Sequence, residues 1–131
     1  MRKTLLFVSL ALLVGMFAGS AVAQRPTRIN FARGARSAVV TGSLTGYRDH
    51  KTYLIRVKKG QKMTTESIGS HYITLDITAP PGSTFEPDLA ADCHDKYEVN
   101  PTAVGDYRIR VTECKKADAY RGKFSFRVRV R

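Results

Sequence analysis

The chain has 131 residues, 22 Lys and Arg against 11 Asp and Glu, and 43% hydrophobic residues. That much apolar content excludes a disordered polyelectrolyte, and the length allows a single core. The formal charge of +11 points away from basic, cationic ligands and toward acidic, anionic ones.

The first element is removable. Met1-Arg2-Lys3 precedes an almost wholly apolar run from Leu5 to Ala18, and Ala21-Val22-Ala23 supplies small residues for cleavage. This order is that of a secretory signal peptide, and the run is short for a membrane-spanning helix. The sequence therefore predicts a cleaved segment 1–23 and a single exported domain, 24–131, in the periplasm or beyond it, with no stable membrane insertion. Cleavage removes two of the 22 basic residues and leaves 20 against 11, or +9. Acidic protein clefts, lipid head groups and anionic glycans are suitable partners, whereas export argues against nucleic acid.

The mature chain reads as strands and turns. Arg28 to Phe31 is a short extended start, and Arg33-Gly34 is a turn. Ala38 to Thr41 is a strand entering a loop, Thr41-Gly42-Ser43-Leu44-Thr45-Gly46-Tyr47, whose glycines suit the positive φ angles of tight turns. From Thr52 to Lys58, Tyr53, Ile55 and Val57 alternate with Thr52, Arg56 and Lys58, one face dry and one wet, with Leu54 an exception on the outer face. Gln61 to Ile68 is a weaker strand after the Lys59-Gly60 turn. Ile73, Leu75 and Ile77 form an apolar row with Tyr72, Thr74 and Asp76 facing away. Pro80-Pro81-Gly82 ends that strand.

Residues 85–95 are irregular, and Lys96 to Val99 is a short strand. Tyr107, Ile109 and Val111 alternate with Arg108, Arg110 and Thr112 in the strongest strand, 106–113. Phe124, Phe126, Val128 and Val130 alternate with Ser125, Arg127, Arg129 and Arg131 in the last. Lys115 to Gly122 connects these two, with room for one helical turn. About eight short strands without a sustained helical period predict an all-β fold, an antiparallel sandwich with no substantial helix.

Two cysteines, Cys93 and Cys114, remain in an exported chain. A bridge between them is expected, with a free pair or an intermolecular link as the alternatives. Asp92-Cys93-His94-Asp95 resembles a metal cluster, but adjacent ligands do not converge on one ion and no second group follows at zinc spacing, so neither a metal nor a cofactor is expected. His50, His71 and His94 are scattered, no nucleophile elbow is present, and catalysis is not expected. Arg108 and Arg110, with Arg127, Arg129 and Arg131, form outward rows. If the two strands pair as a hairpin, Arg56 and Lys58 extend them into a basic sheet face suited to polyanions. The plainer reading is a solvated face that blocks edge pairing. Lys115, Lys116, Tyr120 and Arg121 gather cations and an aromatic in one loop, rooted by Cys114; a basic connecting loop is the plainer reading there.

Several segments together resemble one family. Gly42-Ser43-Leu44-Thr45-Gly46-Tyr47, Thr52-Tyr53, Val57-Lys58-Lys59-Gly60-Gln61-Lys62, Gly105-Asp106-Tyr107-Arg108-Ile109-Arg110-Val111 and Asp118-Ala119 are similar in order and spacing to the inhibitors of g-type (goose-type) lysozyme. The resemblance implies a periplasmic, non-enzymatic β-sandwich whose partner is a lysozyme, with two loops blocking its cleft. Tyr47 corresponds to the aromatic of the first loop. The second loop carries two basic residues in the family, typically Arg; here they fall at Lys115 or Lys116 and at Tyr120 or Arg121. Ser43 and Tyr120 are supporting candidates. Lys in place of Arg loses the planar fork that grips a carboxylate. The Val57 to Lys62 pattern also occurs in secreted modules of the pre-peptidase C-terminal type, which gives an alternative reading as a binder of anionic glycan or envelope.

Overall fold

The alternating rows form eight strands in the computed structural model, which describes residues 24–69, 72–87, 93–114 and 120–131. They are β1 (Thr27–Arg28), β2 (Ser37–Leu44), β3 (His50–Val57), β4 (Met63–Ser67), β5 (Ile73–Thr78), β6 (Lys96–Val99), β7 (Gly105–Glu113) and β8 (Gly122–Val130). Two four-stranded sheets, β1-β3-β7-β5 and β2-β8-β4-β6, pack face to face as a sandwich. Every pairing is antiparallel except that of β1 with β3. No helix is found among the described residues, as the all-β reading requires. The expected signal segment and most of the 115–120 turn lie outside them.

The inward residues of both sheets build one core. Tyr53, Ile55, Leu75, Tyr107, Ile109 and Val111 from one sheet meet Leu44, Met63, Phe124, Phe126 and Val128 from the other. The Tyr53 ring stands edge-on to Phe126 at 5.4 Å and to Phe124 at 6.5 Å, a favoured aromatic geometry. Full burial of each large apolar side chain stabilises by about 1.5–3 kcal/mol.

The odd strands all lie in one sheet and the even strands in the other. Each connection therefore crosses the sandwich, and no two consecutive strands are hydrogen-bonded to each other. The condition for a joined basic face, a hairpin of the last two strands, is therefore not met. β7 pairs with β3 and β5, whereas β8 pairs with β2 and β4. The arginine rows consequently lie on opposite outer faces and do not merge into one basic sheet. The physical reason is that alternation specifies only that a strand has one dry face; either sheet can supply it. Arg127 is further countered by Glu66, 3.2 Å away on β4.

A correction concerns the first loop. β2 continues to Leu44, so Gly42 and Ser43 are ladder residues opposite Phe124 and Lys123. Gly42 is glycine for space: a Cβ there would lie 2.5 Å from Phe124 Cζ and 2.7 Å from the Tyr53 hydroxyl. Gly46, at φ +133°, does occupy the left-handed region that its turn demands.

The described connections gather at the two ends of the sandwich. One pole holds residues 45–49, 68–69, 72, 93–95, 114 and 120–121. The other holds 29–36, 58–62, 79–84 and 100–104, with the end of β8 beside them. At this second pole the Gln61 side chain accepts from the Lys58 amide at 2.8 Å, and Thr102 donates to the Lys58 carbonyl at 2.6 Å. The Val57 to Lys62 pattern is thus a stitched turn. Gly42→Ala should lower stability by about 1–3 kcal/mol through overpacking against Phe124 and Tyr53; an unchanged urea midpoint would contradict this.

Candidate functional site

The first pole is built from the register of β2 and β8. Leu44 lies opposite Gly122, so the chain leaving β2 and the chain entering β8 are neighbours there. Residues 45–49 form a tight turn closed by the Asp49 amide donating to the Gly46 carbonyl at 3.1 Å. The Asp49 carboxylate accepts from the Thr45 amide at 2.9 Å and its hydroxyl at 3.2 Å, and Lys51 Nζ stands 3.5 Å away. Partial burial alone would raise the Asp49 pKa, but the Thr45 bonds, Lys51 and the Gln24 side chain outweigh it and hold the carboxyl below the ordinary 3.8. The closed turn projects Tyr47, 46% exposed, with the exposed Arg48 next to it.

The second segment approaches from β7. Cys114 is bridged to Cys93, with Cα atoms 4.8 Å apart, and the Cys114 amide donates to the Tyr72 carbonyl at 2.7 Å. Glu113, buried at the end of β7, accepts from the Tyr120 amide at 2.6 Å through Oε2. The Tyr120 hydroxyl donates to the Lys123 carbonyl, and its ring stacks on that of Tyr72 at 5.4 Å with 10° between planes. These contacts fix the backbone on which Arg121 follows. Its guanidinium lies against the first loop: a Cβ at Gly46 would be 3.9 Å from Arg121 Nη2.

Of the residues singled out from the sequence, Tyr47 and Arg121 share this pole, with Tyr120 beneath them in the Tyr72 stack. Ser43 is exposed on the outer face of β2, opposite Lys123, rather than in the loop. Lys115 and Lys116 lie outside the described residues. Three contributors were missed: Asp49, which closes the turn, Glu113, which holds Tyr120, and Tyr72, which stacks on it. Glu113 had a legible signal, for it falls on the inward row of Tyr107, Ile109 and Val111. Tyr72 had none, because stacking between segments 48 residues apart in the chain leaves no local pattern.

Asp92 is outside the described residues, Cys93 is consumed by the bridge, and the His94 ring packs against Tyr97 at 4.3 Å. Among the described residues no three of His, Cys, Asp and Glu cluster as a metal site would require.

A closed β-sandwich that displays an aromatic and a guanidinium from adjacent loops at one pole falls in the class of loop-presenting sandwich domains. The chain is 30% identical over 128 residues to the inhibitor of g-type lysozyme of Escherichia coli K12, covering 93% of this chain and 87% of that protein. It belongs to that family of inhibitors. The crystal structure of a periplasmic inhibitor of g-type lysozyme from Aeromonas hydrophila superposes with a TM-score of 0.65 at 27% identity, over 81% of this chain and 96% of that one. The corresponding protein of Salmonella Typhimurium gives 0.60 at 19% identity, over 83% and 100%, and shares the fold. No family model matches the chain.

Asp49 generates a pH prediction. With its folded-state pKa depressed, its contribution is complete above the ordinary value of 3.8 and is lost as pH falls through the depressed value. Wild type should exceed Asp49→Asn by about 1–2 kcal/mol near neutrality, the size expected of hydrogen bonds to a charged group. The gap should close on acidification, as read from unfolding curves at stepped pH; a gap independent of pH would refute the assignment. The bridge generates another. Cys93→Ser/Cys114→Ser should lose about 3 kcal/mol by the chain-entropy account of a loop this size, with a matching fall in Tm that reductant reproduces in the wild type only.

Proposed function

We propose that this chain is an exported inhibitor that seats its first pole in the active-site cleft of a g-type lysozyme, with no catalytic step of its own. The observation that carries the proposal is the nearness of the Arg121 guanidinium to the Gly46 turn, next to half-exposed Tyr47. Family membership supports the target, and the periplasmic relatives, together with residues 1–23, support export to the periplasm.

The physical steps are these. Glycosidases keep carboxyl groups in a cleft. Arg121 offers a planar fork to one of them, and charge-assisted bonds to that carboxylate lower its pKa, so it no longer serves as proton donor. Tyr47 fills a sugar subsite with its ring and hydroxyl. Lys115 and Lys116 add point charges, while Ser43 and Tyr120 support the two segments. With Lys where the family typically has Arg, Arg121 carries the bidentate contact.

The test is clearing of a cell-wall suspension by g-, c- and i-type lysozymes in the presence of the mature protein. Inhibition of the g-type enzyme is expected. Tyr47→Ala and Arg121→Ala should each weaken it by about 10- to 100-fold, the usual size of a central interface residue, with unfolding midpoints unchanged. Lys115→Ala/Lys116→Ala should weaken it further and reduce its salt dependence. No inhibition of any lysozyme at micromolar protein overturns the reading.

A further inference from the structure

The second pole carries a cationic cleft that the inhibitory reading does not use. Three segments converge on it: the crossover from β1 to β2, the end of β3 and the end of β8. Phe31, Ala35 and Val130 give it an apolar floor, and Arg36, Arg56, Lys58 and Arg131 ring it, enclosing about 400 Å³. That volume lies within the range of small-ligand sites. Eight-residue strands separate the cleft from the Tyr47 pole by about 26 Å at 3.3 Å per residue.

The cations are available. Asp106, across the ladder from Arg56, has both oxygens held by Arg28, at 2.9 and 3.0 Å. Among the described residues Arg36, Lys58 and Arg131 make no ion pair, whereas Lys62, just outside the cleft, and Arg127, on the outer face of β8, are matched by Glu98 and Glu66. The four cations of the ring meet no acid among the residues that line it, and Asp106, which also acts on Arg56, is already paired with Arg28. Three of the four are arginines, whose forks suit the several acceptor oxygens of a phosphate better than a single carboxylate. The apolar floor suits the carbon face of a sugar ring.

We infer that this cleft is a binding site for a phosphomonoester carried on a sugar, distinct from the inhibitory pole and able to be filled while that pole is engaged. The ligand chemistry is common to soluble sugar phosphates and to the phosphorylated saccharide heads of envelope glycolipids. Bound to the latter, the protein would be held at the envelope with its inhibitory pole free.

The probes are glucosamine 1-phosphate, glucosamine, and phosphatidylcholine vesicles with and without diphosphorylated lipid A, measured by amide chemical-shift titration and vesicle sedimentation. Saturable shifts at residues 31–36, 56–58 and 131 with the sugar phosphate, and not with glucosamine, are expected. Arg36→Ala/Arg56→Ala should weaken binding by at least about tenfold, while Arg127→Ala/Arg129→Ala on the outer sheet face should change it little. Both double variants should retain lysozyme inhibition. Binding of the free sugar phosphate alone assigns a soluble ligand, and binding of lipid A vesicles, with or without it, assigns the glycolipid; each supports the site. Failure of both probes overturns it. Equal losses in the two double variants also overturn it, since the attraction would then belong to the net charge of the chain.

Discussion

Every strand in this molecule has its sequence neighbours in the opposite sheet, and the docked core is therefore what joins consecutive elements. Backbone ladders hold each sheet together, and the packing of Tyr53, Phe124 and Phe126 and their neighbours holds one sheet to the other, with the Cys93–Cys114 bridge and the Glu113–Tyr120 bond as local ties at one end. Gly42 marks how tight that docking is. It is the one inward position of β2 where no side chain fits, because the Phe124 ring and the Tyr53 hydroxyl already occupy the volume. The spacing between sheets, and hence the relation between loops that cap them, follows from this contact.

The candidate site inherits its geometry from the same docking. The Tyr47 turn leaves the sheet containing β2 and enters the one containing β3; the Arg121 segment leaves β7 and enters β8. Arg121, at the entry to β8, stands beside the Tyr47 turn. Two buried or half-buried carboxylates then set the fine structure: Asp49 closes one turn, and Glu113 receives the Tyr120 amide that introduces the other. Glu113 is buried and Asp49 half-buried. The net charge of the chain says little by itself about recognition, which depends on where individual cations stand on the surface.

Strand existence was legible because period-two alternation is local. The inward rows of β3, β5, β7 and β8 are buried as their spacing predicts. Strand partnership was not, because Arg108 and Arg127 have the same alternating surroundings whichever sheet receives them. The motif around Gly42 shows a finer limit. A glycine required by a neighbouring ring and one required by a left-handed turn read alike in sequence, and only the coordinates separate Gly42 from Gly46. The family resemblance singled out Tyr47 together with Lys115 or Lys116 and Tyr120 or Arg121, and of these Tyr47 and Arg121 lie near each other at one pole. Their supports were less legible: Tyr72 and Tyr120 meet through space, and Asp49 looks like any acid in a polar loop.

The strict alternation between sheets also bears on when the site comes into being. A chain that has formed only its first few strands contains the Tyr47 turn but neither Gly122 nor the ring of Phe124 against which β2 aligns. Among the described residues no consecutive strands pair, so neither turn belongs to a local hairpin and both rest on the docking of the two sheets. The surface at that pole is a property of the finished sandwich.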